Sequence, residues 1–278
     1  MNSLPFEFID RVIGRVPKLI WMRKTEFTRV GSPWSHVEST VWEYELLLTE
    51  TEYAIRCFQG IHCEYSACPF NRCSNPSLRY TAQPFDFAQW NLRSCSIAQI
   101  FIYHHPTWFA TFPIDETVAQ NLKRILRNNR RLISVVEQHD DVKWDTIAPI
   151  LQEIPAINVF YNSSARINAA LSSQLFQRPI VDLIVFNLPF EFMGTIVNAI
   201  RKRLVNKCGI SNDSETIDYS EYCRPVLEAI FEVHADRPPK EVYAYYPLHK
   251  LVEDYKRARN VNASMPQFNP RKRLMYTR

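Results

Sequence analysis

The sequence predicts a mixed α/β fold, and three observations carry that prediction. From residue 97 onward, short apolar segments rich in strand formers (97–103, 132–136, 156–161 and 180–186) alternate with amphipathic helical ones (115–127, 144–153, 165–176 and 190–204). The strand centres, near Ile100, Ser134, Asn158 and Leu183, lie 34, 24 and 25 residues apart, a spacing that suits strand–helix–strand units and a parallel sheet. Finally, 278 residues with 46% hydrophobic and 13% aromatic content supply enough apolar surface for a substantial core.

Taken in order, the chain opens on an amphipathic helix over residues 3–16. Ser3 suits the helix cap, Pro5 the first turn, and Glu7 the positive end of the helix dipole. Leu4, Phe8 or Ile9, Val12, Ile13 and Val16 recur at three- and four-residue spacing and give one apolar face. Segments 41–48 and 53–58, separated by a short polar turn, pair as a hairpin. Residues 60–90 carry no period, and Pro69, Pro76 and Pro84 break what little there is. The alternating stretch then runs to residue 204. A polar loop over 208–220, a helix over 221–233 interrupted by Pro225, a final strand over 241–246 and a helix over 248–258 complete the expected elements. The remainder, with Pro266 and Pro270, reads as a basic mobile tail.

The first stretch resembles a known family. Leu4-Pro5-x-Glu7, the apolar positions Phe8, Val12 and Val16, then Pro17 and Val30-x-x-x-Trp34 resemble the F-box, a helical module at the amino end of ubiquitin-ligase adaptors. The resemblance covers about residues 3–45. It implies an F-box-like module over 1–45, a substrate-recognition body over 46–255 and the tail over 256–278, with Leu4, Pro5, Phe8, Ile9, Val12, Val16 and Trp34 as adaptor-binding residues. The implied function is non-enzymatic: an adaptor that carries target proteins to a cullin-type ligase. Leu188-Pro189-Phe190-Glu191-Phe192 repeats Leu4-Pro5-Phe6-Glu7-Phe8, so the pentapeptide by itself marks a helix start. For the body two arrangements stay open. The intervals of 24 and 25 residues fall within the range of leucine-rich-repeat units, which stack into a solenoid, and an open α/β sheet satisfies the same pattern.

Composition narrows the chemistry. The net charge is +4, but Lys256, Arg257, Arg259, Arg271, Lys272, Arg273 and Arg278 follow the last acid, Asp254, so the preceding chain is near neutral, and a nucleic-acid footprint is not expected across the body. Arg271-Lys272-Arg273 leaves a basic-tailed nuclear binding protein as an alternative. The five glycines are no closer together than fifteen residues, which excludes the Gly-rich phosphate loops of nucleotide enzymes. The longest stretch without charge, 94–114, contains Pro106 and Pro113 and predicts a strand and loop, not a membrane span. Seven cysteines and an acidic N-terminal helix predict reduced thiols in a cytosolic or nuclear protein. Cys63, Cys68 and Cys73, with His62 beside the first, show four intervening residues twice instead of the two close pairs that structural zinc sites usually use, so no metal and no cofactor are expected. The competing reading is an α/β enzyme whose site is built from loops near His104 and Asn187.

Overall fold

The computed structural model describes residues 5–16, 30–57, 84–102, 111–137, 147–162, 177–186, 190–211, 219–235, 241–243, 246–258 and 273–277. It is a mixed α/β protein whose chain divides into two compact units, Met1–Asn158 and Val159–Arg278. The boundary expected after residue 45 falls inside the first unit. The segments 18–29 and 165–176, the thiol cluster at 62–73, His104 and Asn187 lie outside the described residues.

The first unit begins with helix α1 (Phe6–Arg15), whose N-cap position is Pro5, and helix α2 (Trp34–Thr40). Strands β1 (Trp42–Leu48) and β2 (Glu52–Cys57) form the expected antiparallel hairpin, closed where Thr49 and Glu52 hydrogen-bond across the turn. Strand β3 (Cys95–Ile102) lies parallel to β1 on the other side, and the two-residue β4 (Phe112–Pro113) pairs with β2. Helix α3 (Glu116–Arg127) starts where Asp115 accepts the Val118 amide at 2.7 Å. That bond satisfies one of the amides orphaned at a helix start. The helix buries Leu122, Ile125 and Leu126, the three- and four-residue spacing that marks a core-facing stripe. Strand β5 (Ile133–Glu137), parallel to β3, follows. The short helix α4 (Ala148–Leu151) occupies part of the expected 144–153 segment, and β6 (Ile157–Asn162) runs across the division between the units.

One sheet face of this unit is largely apolar: Tyr44, Leu46 and Leu48 of β1, Ile97, Ile100 and Ile102 of β3, and Ile133 and Val135 of β5 are all buried, with the buried Glu137 of β5 at the register of Ile102. A register irregularity between Tyr44 and Glu45 keeps Ile97 and Ile100 on the same face although they are three residues apart. Segment 84–90 adds an aromatic cluster, with Tyr44 and Trp90 ring centres 5.1 Å apart and Phe85 set edge-on to both.

In the second unit, β7 (Ile180–Phe186) and β8 (Val205–Ser211) are parallel and joined by helix α5 (Met193–Arg201), one strand–helix–strand crossover of the expected kind. Helix α6 (Tyr219–Val233) carries Pro225 within it. Strand β9 (Glu241–Tyr243), helix α7 (Tyr246–Ala258) and strand β10 (Arg273–Thr277) follow. Three expectations are corrected here. Helix 190–204 stops at Arg201, because Arg203 takes a left-handed φ of 58° while the Arg203 and Leu204 amides bond back to Ile200 and Ala199, a Schellman stop. The start of the loop expected over 208–220 is instead the end of β8, where Cys208 and Ile210 are buried. The mobile tail expected over 256–278 contains β10, paired antiparallel with β8 from Arg273↔Ser211 to Thr277↔Lys207 and with β9 from Met275↔Tyr243 to Thr277↔Glu241. Leu274-Met275-Tyr276-Thr277 is a run of apolar, aromatic and β-branched side chains that fits a pleated strand; the charges before it hid that.

Candidate functional site

Helix α1 presents three different sides. At 100° per residue, Ile9 and Ile13 point one way, and both are buried, 0% and 1% exposed, against Val37, with Trp34 of α2 packed alongside. Asp10 and Gly14, one step round, are also buried. Phe8 and Val12 share the far side, where Phe8 is 48% exposed and Val12 half-buried. Phe6, in the first turn, is 39% exposed.

The side holding Asp10 faces the turn between α3 and β5, and the sequence between these elements explains its shape. Asn129 replaces a neighbouring strand beside β3: its Oδ1 accepts from the Ile97 amide at 2.8 Å and the Ser96 hydroxyl at 3.1 Å, while its Nδ2 donates to the carbonyls of Ile97 at 2.9 Å and Arg131 at 2.8 Å. With both ends of the amide engaged, the turn holds Arg130 and Arg131 toward α1. Arg131, 3% exposed, donates through Nη1 to the Asp10 carbonyl at 2.9 Å and lies 3.0 Å from Asp10 Oδ1, and Arg130 donates to Oδ2. The Asp10 carboxylate is 2% exposed, so it is buried with its charge answered from two directions.

Beside this contact lies a cleft of about 210 Å³, lined on α1 by Glu7, Asp10, Arg11, Gly14 and Arg15, and across from it by Asn129, Arg130, Arg131, Leu132, Pro155 and Ala156. Four guanidinium groups thus share it with two carboxylates. A second polar feature crosses the sheet. Glu45, Gln99 and Ser134 sit at matching register on β1, β3 and β5, all buried, and Asn158 of β6 donates to the Ser134 hydroxyl at 3.2 Å. In the second unit Asp182 and Lys207 face one another across β7 and β8. Burial raises the Asp182 carboxyl above the usual carboxylate range, and the Lys207 charge pulls it back in part.

Of the residues singled out from sequence, Ile9 and Trp34 belong to the small core between α1 and α2, Phe8 faces outward, Val12 and Val16 are half-buried, Pro5 is exposed at the helix start, and Leu4 lies outside the described residues. Asp10, Asn129, Arg130 and Arg131 were not singled out. No local signal points to them, because Asp10 sits a step round the helix from Ile9 and Ile13, beside Glu7 and Gly14, where an acid reads as a solvated position. Among the described residues no helix is long and apolar enough to cross a membrane.

No protein-family model, no curated protein and no solved structure matches this chain. Fold and site alone define its class: an α/β protein whose first helix is fastened to the first unit by a buried carboxylate–diarginine contact.

Proposed function

We propose that the chain is a non-enzymatic substrate-recognition adaptor of a cullin-type ubiquitin ligase, as its F-box-like opening implies, with the outward side of α1 as the docking face and the α/β body as the surface for a target protein. The observation that carries this reading is Phe8, 48% exposed on a helix that already buries Ile9 and Ile13. A large apolar side chain left in water on a helix that has satisfied its own core is what a docking surface requires. Phe6 and Val30, 39% and 45% exposed, add apolar surface near the same end of the chain. A solenoid-like body is supported by β1, β3 and β5 lying side by side and parallel, with Glu45, Gln99 and Ser134 at matching register.

The test is copurification of the full chain with the ligase's adaptor subunit. Phe8→Asp is expected to weaken capture at least about tenfold while the chain unfolds within about 0.5 kcal/mol of the parent, because the site is exposed in the free protein. Ile13→Asp places a charge in the α1–α2 core and is expected to cost more than about 3 kcal/mol whether or not an adaptor is present. An unmutated chain that folds but captures no adaptor defeats the reading.

A further inference from the structure

The docking reading uses the outer side of α1 and the core uses the inner one, but the side lining the cleft carries charge that neither explains. Arg11 and Arg15 stand one turn apart, both exposed and both lining the cleft, and neither pairs with an acid among the described residues. Like charges at that spacing repel. Arg15, in the last turn, also answers the negative end of the helix dipole; Arg11, in mid-helix, has no such reason. Across the cleft stand Arg130, one-third exposed and joined to Asp10 through Nη1, and the buried Arg131. Asp10 carries one negative charge for the two of them, and Glu7 at the exposed first turn is the one other acid in the lining. The cleft therefore has two more positive than negative groups, on walls held rigid by the Asn129 bonds on one side and by the helix on the other.

We propose that this cleft is an anion site for a phosphate group, gripped by Arg11 and Arg15 from α1 and by Arg130 from the turn. Guanidinium groups match phosphate oxygens in geometry as well as charge. At about 210 Å³ the space suits a phosphate and a few further heavy atoms, less than the pockets that enclose drug-sized ligands. Asn129 takes no part, because its amide is already spent on β3 and the turn. The ligand class is a small phosphate dianion, either the free ion or a small monoester.

The full chain is titrated with inorganic phosphate at constant ionic strength, followed by calorimetry and by the shift in melting temperature. Saturable binding is expected, with stabilisation that grows logarithmically above the dissociation constant. The double variant Arg11→Gln, Arg15→Gln is expected to bind phosphate at least about tenfold more weakly with an undiminished melting temperature in phosphate-free buffer, since both side chains are exposed. Phosphoserine and glycerol phosphate, run in parallel, separate the sources: tighter binding than inorganic phosphate assigns the site to a monoester, and weaker binding assigns it to the free ion. Phe8→Ala, which removes the apolar side chain without placing a charge one turn from Arg11, leaves phosphate binding unchanged, which keeps this site apart from adaptor docking. A calorimetric titration that shows no saturation, or stabilisation that is equal in the double variant, overturns the proposal.

Discussion

Asp10 and Gly14 fasten α1 to the first unit by opposite means. Asp10 brings a charge into a place where Arg131 is 3% exposed and Arg130 one-third exposed; the three groups make sense together and would be costly apart. Gly14 contributes by having no side chain, since a Cβ there would run into the Arg130 carbonyl oxygen, a backbone atom fixed in the turn that Asn129 holds. Gly14→Ala is therefore expected to destabilise by about 1–3 kcal/mol, the usual cost of overpacking, even though alanine is the better helix former by up to about 1 kcal/mol. Urea unfolding of the full chain measures the outcome; a variant as stable as the parent would mean that α1 can shift away from the turn at no cost. None of this was legible in the sequence, because the partners of Asp10 lie 120 and 121 residues away and periodicity reports on neighbours within a few turns.

Elements with an apolar stripe or an apolar run were legible: β1, β2, β3, β5, β6, β7, α3, α6 and α7 all fall close to their expected places. The missed strand residues have a common physical origin in polar positions that a sheet tolerates. In β8, Asn206, Lys207 and Gly209 interrupt the apolar pattern, yet parallel pairing with β7 and antiparallel pairing with β10 satisfy the strand's backbone on both sides. The Asp182–Lys207 pair across β7 and β8 has a pH signature. The folded chain holds the Asp182 proton to higher pH than the unfolded chain does, because burial disfavours the carboxylate. The resulting destabilisation is absent below the unfolded carboxyl's range, near about pH 4, grows as pH rises, and is complete above the raised folded value. Asp182→Asn is accordingly expected to gain stability over the parent as pH is raised from about 4 to 7, read from urea midpoints at each pH. A variant less stable than the parent at pH 7 would show that attraction to Lys207 outweighs burial.

At the scale of the whole molecule, the expected division at residue 45 and the division at Asn158–Val159 differ because α1, with its own small core shared with α2, is tied by Asp10 to a turn far along the chain. The expected loose tail fails for a related reason: Arg273–Thr277 lies between β8 and β9, pairing with both. Removing residues 273–278 strips pairing partners from two strands at once. At about 0.5–1.5 kcal/mol net for each hydrogen bond and about 2–4 °C for each kcal/mol in a protein of this size, the melting transition of the second unit is expected to fall by on the order of 10 °C. Cys208 supplies a local reporter. It is 2% exposed, it sits in β8 opposite Tyr276 of β10, and burial, with the charges of Asp182 and Cys223 adding to it, pushes its thiol well above the usual range. In the parent it is expected to resist a thiol reagent at pH 8 until the chain unfolds, since the thiolate is the reactive form. In the deletion variant its labelling is expected to accelerate at least about tenfold, a loss of about 1.4 kcal/mol of local protection. Cys95 in β3 of the first unit, 4% exposed, serves as the internal control and keeps its parental rate. Acceleration at both cysteines would mean global unfolding instead of a lost strand, and an unchanged rate at Cys208 together with an unchanged melting temperature would return residues 273–278 to the status of a dispensable tail.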